Sequence, residues 1–168
     1  MGAASDRLFA EPGLAWQPVS RRLVTERRIP VAVVGLVGVV LLIAGLAAGG
    51  SGGLALAAIG AAVVLLAVAG WAVLVPRWVS AWRYAERDED LLVSHGRLRR
   101  RLTVVPYGRM QVIEVQANPV SRRLGIATVT LVTASAHTDA RIPGVAAETA
   151  RELRDRLAAK GEALTAGL

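Results

Sequence analysis

Apolar and polar positions divide this chain sharply. From Ile29 to Pro76 no residue is charged. A helix rises about 1.5 Å per residue, so roughly 20 apolar residues cross a hydrocarbon core of about 30 Å. The run is long enough to cross twice, and Gly49-Gly50-Ser51-Gly52-Gly53 interrupts it near the middle with a helix-averse patch. The pattern predicts one span over Pro30–Ala48, a tight glycine loop, and a second span over Leu54–Val75. Pro30 suits a first helical turn and Pro76 a stop. Gly45 with Gly49, and Ala58 with Ala62, supply small residues at four-residue spacing for close helix packing. A buried hairpin of a soluble protein is the competing reading, and the basic flanks argue against it. A basic leader and small residues at Ala47-Ala48 superficially fit a cleaved signal peptide, but the leader is long and a second full span follows at once.

After Trp78 the period changes. Trp82–Arg87 reads as a strand, Asp88-Glu89-Asp90 as an acidic turn and Leu91–Ser94 as a second strand. His95-Gly96-Arg97 turns the chain into an alternating run, Leu98–Val104, which sets Arg97, Arg99 and Arg101 on one strand face. Arg109–Gln116 follows the break at Pro106-Tyr107-Gly108. Asn118–Gly125 reads as a turn with one helical turn closed by Gly125. Ile126–Ala134 is the most strand-like run, Ala140–Ile142 a last short strand, and Ala146–Lys160 an amphipathic helix ended by Gly161. Its apolar face carries Val145, Ala150, Leu153 and Leu157. Before the spans, Leu14–Val24 reads equally as a headgroup-layer segment anchored by Trp16 or as an ordinary linker, with Ser20 able to cap a short helix running into the first span.

Charge changes the picture in two ways. The net charge is +7, carried almost wholly by arginine, with Lys160 the one lysine. Arg21, Arg22, Arg27 and Arg28 precede the spans and Arg77, Arg83 and Arg87 follow them, while the glycine loop carries none. Arginine-rich flanks stay in the cytoplasm, so both termini are expected there. Trp71 and Trp78 would mark the inner headgroup boundary. Arg97, Arg99 and Arg101, with Arg122 and Arg123 on a neighbouring loop, form a candidate contact face for lipid headgroups or a partner; a solvated face that protects a sheet edge is the plainer alternative.

Catalytic chemistry is not legible. There is no cysteine. His95 lies beside a turn glycine, His137 with Asp139 lacks a third metal ligand, and the acidic turn lacks the spacing of a calcium loop. No nucleophile elbow or phosphate loop occurs. No aromatic platform accompanies the positive charge, which disfavours nucleic acid. No catalytic residue, metal, cofactor or small-molecule substrate is expected.

Tyr84 with Asp90-Leu91-Leu92-Val93, His95-Gly96, Thr103–Tyr107, Arg109–Ile113, Asn118-Pro119 through Arg123-Leu124-Gly125, and Ile142-Pro143-Gly144 before the helix form an ordered set. In that order they resemble the bacterial pleckstrin-homology (PH) domain family of membrane proteins, the YdbS-like group. The resemblance covers nearly all of Trp78–Ala159, and a preceding two-span hairpin is the family's usual arrangement. It implies a mainly-β PH-like domain, two antiparallel sheets capped by a C-terminal helix, attached to a membrane α-hairpin of two transmembrane helices. The expected divisions are an N-terminal segment over 1–28, the hairpin over 29–76, the PH-like domain over 77–160 and a tail over 161–168. The expected function is non-enzymatic: a binding module at the cytoplasmic face of the bacterial inner membrane. Beyond the bilayer itself, its partner would be a second copy or a second PH-domain membrane protein. The alternative is a sensor of anionic lipid headgroups using the arginine face.

Overall fold

The computed structural model describes residues 14–97, 99–134 and 139–166. It divides into two compact units, one formed by residues up to Leu23 together with Trp78–Leu168, the other by Val24–Arg77.

The Val24–Arg77 unit is a helical hairpin. Helix α1 runs over Arg22–Ala48 and α2 over Gly50–Ala69. A wide π turn, Gly70–Leu74, and a short helix α3, Val75–Val79, continue α2. Both long helices are long and apolar enough to cross a membrane, with mean hydropathies of 2.8 and 2.6, and only 11% and 6% of these apolar windows are buried. Such exposure is not that of a core hairpin in a soluble protein. The hairpin bend is narrower than expected. Gly49 alone lies outside the helices, with φ +64°, and Gly50 begins α2. The spans also overrun their expected ends: Pro30 lies inside α1 and Pro76 inside α3.

The hairpin seam is glycine-lined, though not by the expected pairs. Gly38 and Gly45 of α1 and Gly53, Ala57, Gly60 and Ala67 of α2 are buried, whereas Gly49, Ala58 and Ala62 are exposed. A Cβ on Gly60 would collide with the Leu42 backbone nitrogen, and one on Gly45 with that of Ala57. Backbone meets backbone there, which only glycine permits. At the other end of the hairpin the π turn carries the Val75 N–H back to the Gly70 carbonyl, and Pro76 has no N–H to continue the series. Arg28 Nε donates to the Trp71 carbonyl at 3.1 Å, and its guanidinium stacks 4.1 Å from the Trp71 ring centroid. One side chain thus satisfies a carbonyl orphaned by proline and adds a cation–π contact.

The second unit holds two antiparallel sheets. Strands β1 (Gln17–Pro18), β2 (Arg83–Glu86), β3 (Asp90–His95) and β4 (Arg101–Pro106) lie in that order in the first. Strands β5 (Met110–Gln116), β6 (Ile126–Thr133) and β7 (Ala140–Ala146) make the second. A 3₁₀ turn, Tyr107–Arg109, joins the sheets, and a short helix α4, Pro119–Arg123, links β5 to β6. Helix α5, Ala147–Ala166, closes the core with Ala150, Leu153 and Leu157 fully buried. It passes through Gly161 rather than ending there. Arg156 of α5 grips Glu86 of β2 through Nε at 3.3 Å and a second guanidinium nitrogen at 2.9 Å. Tyr107, 1% exposed, donates its hydroxyl to the Arg87 carbonyl at 3.0 Å, and burial pushes its pKa up to about 12.

The segment before the hairpin is neither a linker nor a headgroup helix, because it completes this unit. Gln17 pairs with Tyr84 and Pro18 with Arg83. The Tyr84 hydroxyl donates to the Gln17 side-chain oxygen at 2.7 Å. Ser20 does cap the helix that follows, its Oγ accepting the Arg22 N–H at 3.3 Å. Leu23, 2% exposed, seats on β7, where the register shifts between Ala127 and Val129. That irregularity sets Pro143-Gly144 against Thr128, with Gly144 at φ +68°. A Cβ on Gly144 would lie 2.7 Å from that of Leu23.

Candidate functional site

The expected arginine face forms only in part. Strand β4 starts at Arg101, so Arg97 and Arg99 lie in the β3–β4 connection and do not share a strand face with it. Gly96, at φ +94°, turns that connection so tightly that a Cβ would meet the Arg99 carbonyl. All three arginines are exposed. Arg122 and Arg123 sit at the end of α4, on the β5–β6 connection of the other sheet. Asn118 caps that helix by accepting the Ser121 N–H at 2.7 Å, and Gly125, at φ +64°, ends it. Arg22 joins this second group by donating to the Leu124 carbonyl at 3.0 Å. The two arginine groups therefore stand on different connections. Each lies beside a place where the chain leaves the sheet unit, one next to Trp78–Trp82 and the other next to Arg22-Leu23.

The three expected interface tryptophans differ in setting. Trp71 is exposed under the Arg28 guanidinium, and Trp78 is exposed with its ring edge against Trp82 at 5.5 Å. Trp16 is half-buried in the sheet unit, its indole nitrogen enclosed without a hydrogen-bond partner among the described residues.

Sequence reasoning missed a cleft of about 370 Å³ in the sheet unit. Trp82, which precedes β2, and His95, at the end of β3, stack with centroids 4.5 Å apart and planes 11° from parallel. Arg101 and Thr103 enter from β4, and Asp139 and Arg141 from the start of β7, over an apolar floor of Val93 and Ala140. Asp139 is anchored, its Oδ1 accepting the Thr133 N–H at 2.8 Å. Arg101 and Arg141 carry no ion pair among the described residues. His95 Nδ1 is buried without a hydrogen-bond partner among the described residues. Burial, reinforced by the Arg101 charge, holds the imidazole pKa below its ordinary 6.5. The arrangement suits a small anion that also offers hydrogen-bond donors. His137, the other expected histidine, lies outside the described residues.

The histidine shift has a sign that can be tested. Folding holds His95 below the value near 6.5 of an unfolded chain, so the unfolded state binds more protons on acidification. The unit should therefore be stable above about pH 6.5 and lose stability as the pH falls below it. The effect will be modest, because the ring is partly solvated. Ring-proton NMR should place the His95 midpoint below 6.5, and Arg101→Gln should raise it. A midpoint unmoved by that change would remove Arg101 from the account.

A family model of the bacterial PH domain matches residues 29–161. Neither a curated protein nor a solved structure matches the chain.

Proposed function

This chain belongs to the bacterial PH domain family, and from that membership we propose that it is a non-catalytic binding module on a two-helix membrane anchor. PH domains are in general binding modules without catalysis, and the YdbS-like group is the branch this chain fits by its order of motifs. One observation supports a shared side for both ends of the anchor. Residues on both sides of the hairpin, Gln17-Pro18 and Arg83-Tyr84, build a single sheet. Strands that pair must share a compartment, so both ends of the hairpin lie on one side of the bilayer. The arginines flanking the hairpin select the cytoplasmic side of the inner membrane. The module then works there as a docking platform for a second copy or another PH-domain membrane protein. Crosslinking in cells followed by purification in mild detergent should recover a specific complex, and a reporter fused after Leu168 should be active in the cytoplasm. Recovery of bare monomers alone would reject the docking role, and a reporter active outside would reject the topology.

A second reading, seating on anionic headgroups, draws on the two arginine groups beside the chain's exits from the sheet unit. Each such cation contributes about 1 kcal/mol near an anionic surface. Reversing Arg97, Arg99, Arg101, Arg122 and Arg123 to glutamate should weaken vesicle adhesion of the cytoplasmic unit in a salt-dependent way.

A further inference from the structure

We propose that the groove between β5 and α5 is covered by the same chain's N-terminal segment, Asp6–Glu11, added as a strand to the free edge of β5. Strand β5 ends its sheet, so alternate N–H and C=O groups of Met110–Gln116 turn away from β6, with no strand beyond them among the described residues. An edge of seven residues with one charge, Glu114, and no lysine or proline is a template for another strand. Beside it a groove of about 470 Å³ runs between Met110 and Ile113 on the strand side and Leu157, Ala158 and Gly161 on the helix side. The apolar stripe of α5 extends the groove, because Leu164, two turns beyond Leu157 on the same face, is exposed.

Placement and charge select the occupant. The described chain starts at Leu14, which lines a recess with Glu89 and Asp90. Tyr107 stands between that recess and the groove. Its N–H donates to the Glu89 carbonyl at 3.0 Å, its hydroxyl donates to the Arg87 carbonyl, and it lines the groove itself. Chain leading back from Leu14 past Tyr107 therefore meets the Met110 end of β5 and lies antiparallel to it, an orientation that pairs well. Five extended residues cover about 17 Å. That length brings Leu8-Phe9-Ala10, which holds the chain's one phenylalanine, over Ile113 and Leu157. Glu11 then enters beside the Lys160 ammonium, which donates to the Arg87 carbonyl at 2.7 Å and has further donors to offer. Asp6 reaches Arg154, two helical turns back along α5 from Gly161, whose guanidinium it shares with Asp155.

The cover does not depend on which protein docks on the module, and its test is separate from the crosslinking above. The full chain is placed in phosphatidylcholine nanodiscs. Its two methionines are Met1 and Met110, so a methyl-labelled NMR spectrum reads the groove through Met110. Phe9→Ala should shift that resonance by taking an aromatic ring from beside it. A second measurement uses a short bismaleimide on paired cysteines. Ala10→Cys with Gln111→Cys should link within one chain about tenfold faster than Ala10→Cys with Arg123→Cys, whose partner lies beyond the other end of β5. Ala158→Glu, on the groove, should remove that advantage, and Ala159→Glu, beside it on α5, should keep it. Gln111, Arg123, Ala158 and Ala159 are all exposed, so thermal unfolding like the parent's is expected and is checked for each variant. Equal rates for the two cysteine pairs, or a Met110 methyl unmoved by Phe9→Ala, overturns the proposal. A link formed only between two chains gives the groove to a second copy and overturns it as well.

Discussion

Replacing Gly60 by valine will separate the two helices of the hairpin. The added Cβ would collide with the Leu42 nitrogen and lie 2.7 Å from the Gly38 carbonyl oxygen. Neither atom belongs to a side chain that can rotate away, so α1 and α2 must move apart as bodies. Overpacking of ordinary side chains costs about 1–3 kcal/mol, and a backbone collision belongs at or above the upper end. The sequence has no cysteine, which makes a crosslinking assay clean. A Cβ on Gly35 would lie 3.3 Å from the Ala67 Cβ, close to the spacing a disulfide needs. Gly35→Cys with Ala67→Cys should therefore crosslink efficiently, and adding Gly60→Val should largely abolish the bond. Gly52→Val is the control, because a Cβ there meets nothing within 4 Å. Equal crosslinking in the Gly60 and Gly52 variants would refute the close seam.

Gly144→Val should unseat the N-terminal leg of the sheet unit. Three costs coincide at that position. A residue with a Cβ at φ +68° is strained by about 1–2 kcal/mol. The new Cβ would intrude on Leu23 at 2.7 Å, and expelling Leu23 forfeits about 1.5–3 kcal/mol of burial. Together they approach the lower end of the roughly 5–15 kcal/mol that holds a typical domain folded. The assay is a second cysteine pair, Pro18→Cys with Arg83→Cys, at directly paired positions of β1 and β2. It should form in the parent and fail in the Gly144→Val background, with a clear fall in unfolding temperature. Gly108→Ala, in open space, should do neither. A surviving crosslink would mean that β1 docks without its Leu23 anchor.

Composition made the hairpin legible, because an uncharged stretch of that length has few other uses. Its seam was not. With glycine and alanine at so many positions, pairs at four-residue spacing occur on every face, and only the relative rotation of the helices selects Gly38, Gly45 and Gly60 over Ala58 and Ala62. The threonine and valine of Ile126–Ala134 found β6, and the leucine spacing found α5. Alternation misled at the start of Leu98–Val104, where the turn at Gly96 reaches Arg99 and β4 begins only at Arg101. Strand β1 gave no local signal: it is two residues long, contains a proline, and pairs with residues on the far side of the hairpin. The cleft was invisible for a related reason. Its walls come from four separate stretches of chain, and neither Trp82 nor Asp139 shows its neighbours in the sequence. A histidine beside a turn glycine reads as structural until Trp82 is seen stacked on it.

A sheet built from strands on both sides of a hairpin sets an order of events. The ribosome delivers Gln17 and Pro18 first, yet their partner strand follows only after both apolar helices, and the Gly144 seat for Leu23 follows later still. The leading strand must wait, exposed, until both helices have been made, and the sheet shuts over it as one of the last steps of synthesis. The same geometry makes the bend at Gly49 dispensable as a covalent link: two fragments parted there would still hold one another, through the hairpin seam at one end and the completed sheet at the other.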